Sequence, residues 1–131
     1  MPHIRFDLSV PVDAADRDAF APWVAETYGE VMDTGTDHVG VVVAQTDPRI
    51  GRAGDGEPVA FVNADVRAGR TVDQRHELAR RFTAALGERF GIPEQTVYVV
   101  FTEHPGADFV LGGEPLDSWD ADESEPTAGS D

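Results

Sequence analysis

"PVAFVNADVRAGRTVDQ", residues 58–74, reads as a strand, a turn and the start of a helix in immediate succession. Val59, Ala60, Phe61 and Val62 make an apolar run that suits a strand with two apolar faces. Arg67 ends it and Gly69 makes the turn. Thr71 and Gln74 then have the Thr-x-x-Gln form of a capping box. Beyond the cap, Leu78, Phe82, Ala85, Leu86 and Arg89 recur at helical spacing, and Gly91 supplies a stop. "TVYVVFTE" (96–103) is the next strand, so this half of the chain is one β-α-β unit.

The same order stands upstream. Residues 3–10 read as a strand and 14–33 as a helix with Phe20, Val24, Tyr28 and Val31 on one face. Pro22 inside that span implies a kink or a late start. "HVGVVVAQ" (38–45) is a strand, and "TDPRIGRAGDGE" (46–57) a Gly-rich loop. Pro2 aligns with Pro58 and His38 with Thr96, a period of 56 to 58 residues, which marks a duplicated unit. Each unit joins two parallel strands by a right-handed crossover helix. Two units give an α+β fold, a four-stranded sheet with two helices on one face. Val41, Val43, Val59 and Phe61 alternate with Val42, Ala60 and Val62, so the uncovered face is expected to be apolar and to be buried by self-association. "FVLGGE" (109–114) suits a short hairpin. Residues 1–116 are expected to form one domain, with halves 2–55 and 58–114. From Asp117 the chain has six acidic residues and no basic one, which reads as a solvated tail over 117–131.

Charge narrows the partners. There are 25 acidic and 10 basic residues, a net charge of −15, and every basic residue is arginine. Such a chain is repelled by phosphate backbones, so no nucleic-acid partner is expected. Acid-rich, lysine-free composition suits a salt-filled cytoplasm, where the Debye length falls to ~3 Å at 1 M. No apolar run is long enough to span a bilayer, and no signal peptide is evident, so a cytoplasmic chain without a membrane partner is expected. Cysteine is absent, which excludes thiol chemistry and disulfides.

Two features bear on chemistry. The first is Pro2, directly behind the initiator methionine. If Met1 is removed, its nitrogen becomes a free secondary amine, which Pro58 cannot offer. An α-amino group titrates at about 7.7–8.0, and burial or nearby arginines would bring a prolyl amine toward neutrality, where a general base works best. An ordinary Met-Pro start is the other reading. The second feature is Arg67 with Arg70, beside a helix N-terminus that presents free N–H groups and partial positive charge. The pair is either a carboxylate-binding site or two surface ion pairs. The start of the first strand and the end of the third can be brought to one sheet edge. An amine base beside a carboxylate site suits proton abstraction next to a carbonyl.

"AGRTVDQ" (68–74), "GIPEQTVYVVFTEH" (91–104) and "DFVLGGE" (108–114) resemble, with equal spacing, the corresponding segments of the tautomerase superfamily, which works through an amino-terminal proline. The resemblance spans residues 2–114. It implies a cofactor-free isomerase in which Pro2 is the catalytic base on a small 2-oxo or enol carboxylic acid. It carries Arg70 over as the substrate-carboxylate residue and Phe109 as an apolar wall. The longer, duplicated chain is similar to the cis-3-chloroacrylic acid dehalogenase branch, whose pair of site arginines carries over as Arg67 and Arg70 of "RAGR" (67–70). That branch implies a homotrimer with the sheets inside. Tyr28 and Tyr98 fall where family members keep further polar site residues. Leu111 and Val100 stand where the dehalogenases carry a water-activating glutamate and a tyrosine. Simple proton transfer is therefore favoured over dehalogenation, hydration or decarboxylation, with a non-catalytic trimeric binding protein as the alternative of another class. His3, His38, His76 and His104 show no metal-ligand spacing, and neither metal nor cofactor is expected. Asp37 or His38 could lie near a site mouth. Arg49 and Arg52 of the Gly-rich loop either cap the site or are solvated, and Trp119 is a candidate for packing on a neighbouring subunit.

Overall fold

The computed structural model describes residues 2–116. Met1, Trp119 and the acidic segment from Asp117 lie outside the described residues. The elements are β1 (His3–Leu8), α1 (Ala14–Met32), β2 (Gly40–Gln45), β3 (Ala60–Arg67), α2 (Val72–Phe90) and β4 (Val97–His104). A small hairpin of β5 (Val110–Leu111) and β6 (Glu114–Pro115) follows. Strand order in the sheet is β2-β1-β3-β4. β1 pairs with β2 and β3 with β4 in parallel, as two crossover units require, while β1 and β3 meet antiparallel.

Both helices begin on reciprocal caps. Thr71 Oγ1 accepts from the Gln74 amide at 3.0 Å, and Gln74 Oε1 accepts from the Thr71 amide at 2.9 Å. Asp13 and Asp16 make the same exchange at the head of α1, at 2.8 and 3.0 Å. Each satisfies two amide donors that a helix start leaves without an intrahelical partner. α1 starts at Ala14 and continues past Pro22, so the helix does not start late; Pro22 lies on its exposed side, where the missing donor faces water. α2 stops at Gly91, which takes φ +70 and donates to the Gly87 carbonyl at 3.1 Å. α1 stops at Asp33 instead, with φ 56 and no glycine.

The core is built on Phe6. Its ring lies 4.9 Å from that of Phe20 on α1 and 5.3 Å from that of Phe82 on α2, both edge-on, so both helices rest on the face that β1 shows through Ile4, Phe6 and Leu8. Val24, Tyr28 and Met32 continue the α1 stripe, Met32 taking the buried place expected of Val31. Arg89 is not core: its guanidinium lies over the Phe20 and Trp23 rings at 5.6 and 5.5 Å. Ala60, Val62, Ala64 and Val66 add the β3 contribution.

The second sheet face departs from the expectation of an apolar surface. Val42, Phe61, Tyr98 and Val100 lie on it, but so do Arg5, Asp7, Asn63, Asp65 and His104. The register sets Arg5 between Val42 and Asn63, and Asp7 between Ala44 and Phe61. Arg5 grips Asp7 through two hydrogen bonds of 2.9 and 3.0 Å, and this bonding raises the Arg5 pKa. β1 is thus a charged stripe on this face, continued by Asn63 and Asp65 of β3, a pattern that the valine alternation in β2 and β3 did not show.

Asp33 has a Cβ in a left-handed conformation, and its negative charge stands at a helix C-terminus. Both are unfavourable. Replacing Asp33 by Gly is expected to stabilise the protein by about 0.5–1 kcal/mol, measured as a higher midpoint of thermal unfolding.

Candidate active site

The antiparallel joint decides which ends of the chain meet. His3 pairs with Asp65, so the register continued by one residue sets Pro2 opposite Val66, at the level where β3 runs into Arg67. On its other side Pro2 is held by β2: its carbonyl accepts from the Gly40 amide at 3.0 Å. Pro2 is buried and lies in the walls of two small cavities. One, of 310 Å³, is closed by the Thr34–Val39 segment that links α1 to β2. The other, of 300 Å³, shares Asp37, His38 and Val39 with the first and adds Phe109, Leu111 and Leu116. These volumes sit at the small end of ligand sites, the size of a compact organic acid.

The far wall of the second cavity comes from the segment that follows β4. His104 pairs with Arg67 in the sheet register, and its carbonyl accepts from the Ala68 amide at 2.8 Å. His104 Nε2 lies 2.8 Å from Asp65 Oδ1, and its ring meets Phe109 edge-on at 5.7 Å. The chain then turns through Pro105–Asp108, so that Phe109 reaches the cavity beside Pro2.

Arg67 is 1% exposed, the largest fully buried side chain among the described residues. Gly69, with φ +113, turns the chain from β3 toward α2. Arg70 occupies the next position, half-buried, directly before the Thr71 cap. Arg75 braces this turn, its Nη1 donating to the Arg70 carbonyl and to Glu103 Oε2, each at 3.0 Å.

The structure therefore brings Pro2 and Phe109 to one cavity and sets Arg67, then Arg70, at the same end of the sheet. Neither Arg67 nor Arg70 is in the walls of either cavity beside Pro2. Two other expected positions are not gathered there. Tyr28 is fully buried in the α1 core stripe. Tyr98 is 54% exposed at the start of β4, stacked edge-on at 6.0 Å against Phe61. Phe61 and Val66 are five residues apart on β3, so Tyr98 stands about 16 Å along the sheet from Pro2. The 46–57 loop is likewise at the opposite end. It leaves β2 where the Thr46 amide donates to the Leu8 carbonyl, and there Arg49 lines a separate cavity with Ser9 and Asp47. Within one chain, Arg49 and Arg52 do not cap the Pro2 end. The Asp65–His104 pair escaped the sequence because only the β3–β4 register brings these residues together.

Among the described residues no cluster of three or more His, Cys, Asp or Glu side chains is arranged to hold a metal ion, and no helix is long and apolar enough to cross a membrane. Leu111 is one of the apolar walls of the cavity beside Pro2.

A mixed four-stranded sheet of two β-α-β units, with both helices on one face, is the fold of the tautomerase class. The model of the family described as "Tautomerase enzyme" matches residues 61–118. A probable tautomerase of Bacillus cereus is 34% identical over 56 residues, which are 92% of that protein and 43% of this chain, so the relative is about half as long as this one. Among solved structures, the macrophage migration inhibitory factor of Toxoplasma gondii superposes with a TM-score of 0.76 at 22% identity, over 86% of this chain and 98% of that one. A member of the cis-3-chloroacrylic acid dehalogenase family, N1, superposes with a TM-score of 0.70 at 22% identity, over 86% of this chain and 82% of that one. The chain belongs to the tautomerase superfamily.

Proposed function

We propose that this protein is a keto–enol tautomerase of small 2-oxo or enol carboxylic acids, working without a cofactor and with Pro2 as its base once Met1 is removed. The observation that carries this reading is the burial of Pro2 in the wall shared by two small cavities, at the sheet end where β3 delivers Arg67. A buried amine near fixed positive charge is held toward its neutral, basic form. In the ketonising direction the prolyl nitrogen takes the proton of the enol oxygen. The electron pair on oxygen re-forms the carbonyl, and the carbon end of the enolate takes the proton back from the prolyl ammonium. Arg70 binds the carboxylate, with Arg67 helping to hold it or standing against the enolate oxygen, where charge develops. Leu111 and Val100 in place of a water-activating pair support proton transfer over hydration or dehalogenation.

The same reading takes the protein as a homotrimer. Val42, Phe61, Tyr98 and Val100 form apolar strips on the sheet face that neither helix covers. Tyr98 stands too far from Pro2 to serve the same chain's site, and it would reach a site only across a subunit boundary. With a net charge of −15 per chain, association is expected to need screening. Light scattering is expected to give a trimer at molar salt that weakens as salt is withdrawn; a monomer at molar salt overturns the assembly.

Activity is tested on phenylenolpyruvate with enzyme whose N-terminal mass shows loss of Met1. Pro2→Ala is expected to lower turnover by about 10²-fold or more; a wild-type rate removes Pro2 as the base. Arg70→Ala is expected to lower kcat/KM for the acid by about 10- to 150-fold, and more than Arg67→Ala does. It should also abolish the preference for the acid over its methyl ester. A variant that still prefers the acid as wild type does binds the carboxylate elsewhere.

A further inference from the structure

Arg67 is a guanidinium whose side chain is 1% exposed. A buried guanidinium stays in one place only where its surroundings leave it one place. The surface against it is the backbone of Gly106. A methyl group built on Gly106 would overlap Cζ, Nη1 and Nη2 of Arg67, and these are the three nearest atoms it would meet. Gly106 does not have a positive φ, unlike Gly69, Gly91, Gly112 and Gly113, so its backbone conformation is open to any residue. What calls for glycine here is space, and the space is filled by the guanidinium.

The turn that carries Gly106 has little freedom to retreat. The His104 carbonyl is tied to the Ala68 amide at 2.8 Å on one side. On the other, the Asp108 amide donates to the Pro105 carbonyl at 3.0 Å, and the Phe109 amide to the Gly106 carbonyl at 3.1 Å. The Leu116 amide closes onto the Phe109 carbonyl at 2.9 Å. A side chain added at Gly106 is therefore relieved by moving the flexible partner, which is Arg67.

We infer that Gly106 is a positioning residue: its bare Cα is the seat of the Arg67 guanidinium and sets where that charge stands at the Pro2 end of the sheet. The inference rests on the role given to Arg67 above. Misplacing a charged group by about an ångström is enough for a loss approaching 10²-fold.

The test is a cycle of four full-length proteins, wild type, Gly106→Ala, Arg67→Ala and the double variant, read by kcat/KM on phenylenolpyruvate and by thermal unfolding. Gly106→Ala is expected to lower kcat/KM by about 10- to 100-fold in wild type, and by no more than about twofold when Arg67 is already alanine. The unfolding midpoint should fall with Gly106→Ala in wild type and stay level in the Arg67→Ala background, where the overlap is gone. Equal losses in both backgrounds, in rate or in midpoint, overturn the seat, because Gly106 would then act through Phe109 or the turn itself. Should Gly106→Ala alone fail to fold, recovery of folded protein in the double variant supports the seat and failure to recover overturns it. Arg67→Ala with wild-type turnover removes Arg67 from the reaction and Gly106's positioning role with it. The midpoint cycle then still reports the contact, and Pro2→Ala separately decides the base.

Discussion

The antiparallel pairing of β1 with β3 is the constraint from which the rest of the molecule follows. Two β-α-β units joined side by side offer two choices at the seam, and the parallel one would carry the end of β3 away from the start of β1. With His3 against Asp65 and Leu8 against Ala60, the first residue of the sheet and the last residue of the third strand share one edge. Pro2, Arg67 and Arg70 all lie within a few residues of that edge. The Gly-rich loop, with Arg49 and Arg52, is sent by the same pairing to the opposite edge.

The seam is held by packing rather than by charge. Phe6 is the point where one strand touches both helices, and a large-to-small change at such an aromatic costs about 3–5 kcal/mol in typical cores. The ion pairs contribute little by comparison. Arg49 with Asp47 is largely solvated on both sides, and pairs of this kind are worth about 0–1 kcal/mol. Arg80 and Arg81 converge on Glu77, whose pKa these hydrogen bonds lower, and Arg81 also meets Glu30 on α1. They tie the helices together at their exposed margin, in a chain with more than twice as many acids as bases.

Arg67 is the exception to this surface pattern. It has the alternation of an outward-facing β3 residue, in step with Asp65, yet it is buried because the turn after β4 folds over it. A glycine at the point of contact, an apolar wall three residues later at Phe109, and the His104–Asp65 bond beneath them make that turn one unit. The interior placement of a guanidinium, beside an edge that also buries Pro2, is what distinguishes this end of the sheet from any other part of the described surface.

Much of this was legible in the chain. Helix starts were written in Thr71 and Gln74, helix stops in Gly91, and strands in apolar runs, because capping, left-handed turns and pleating act over a few residues and leave local marks. The offset of Pro2 from Pro58 was enough to suggest two units. The polar stripe of β1, the burial of Tyr28, the distance of Tyr98 and the burial of Arg67 under Gly106 were not legible. Each depends on which residues stand side by side in neighbouring strands, or on how a later turn folds back over an earlier one. Local periodicity says that a residue lies on a strand. Only the register, chosen by the packing of both helices on Phe6, decides what that residue faces, and that is the physical reason the site had to be read from the tertiary structure.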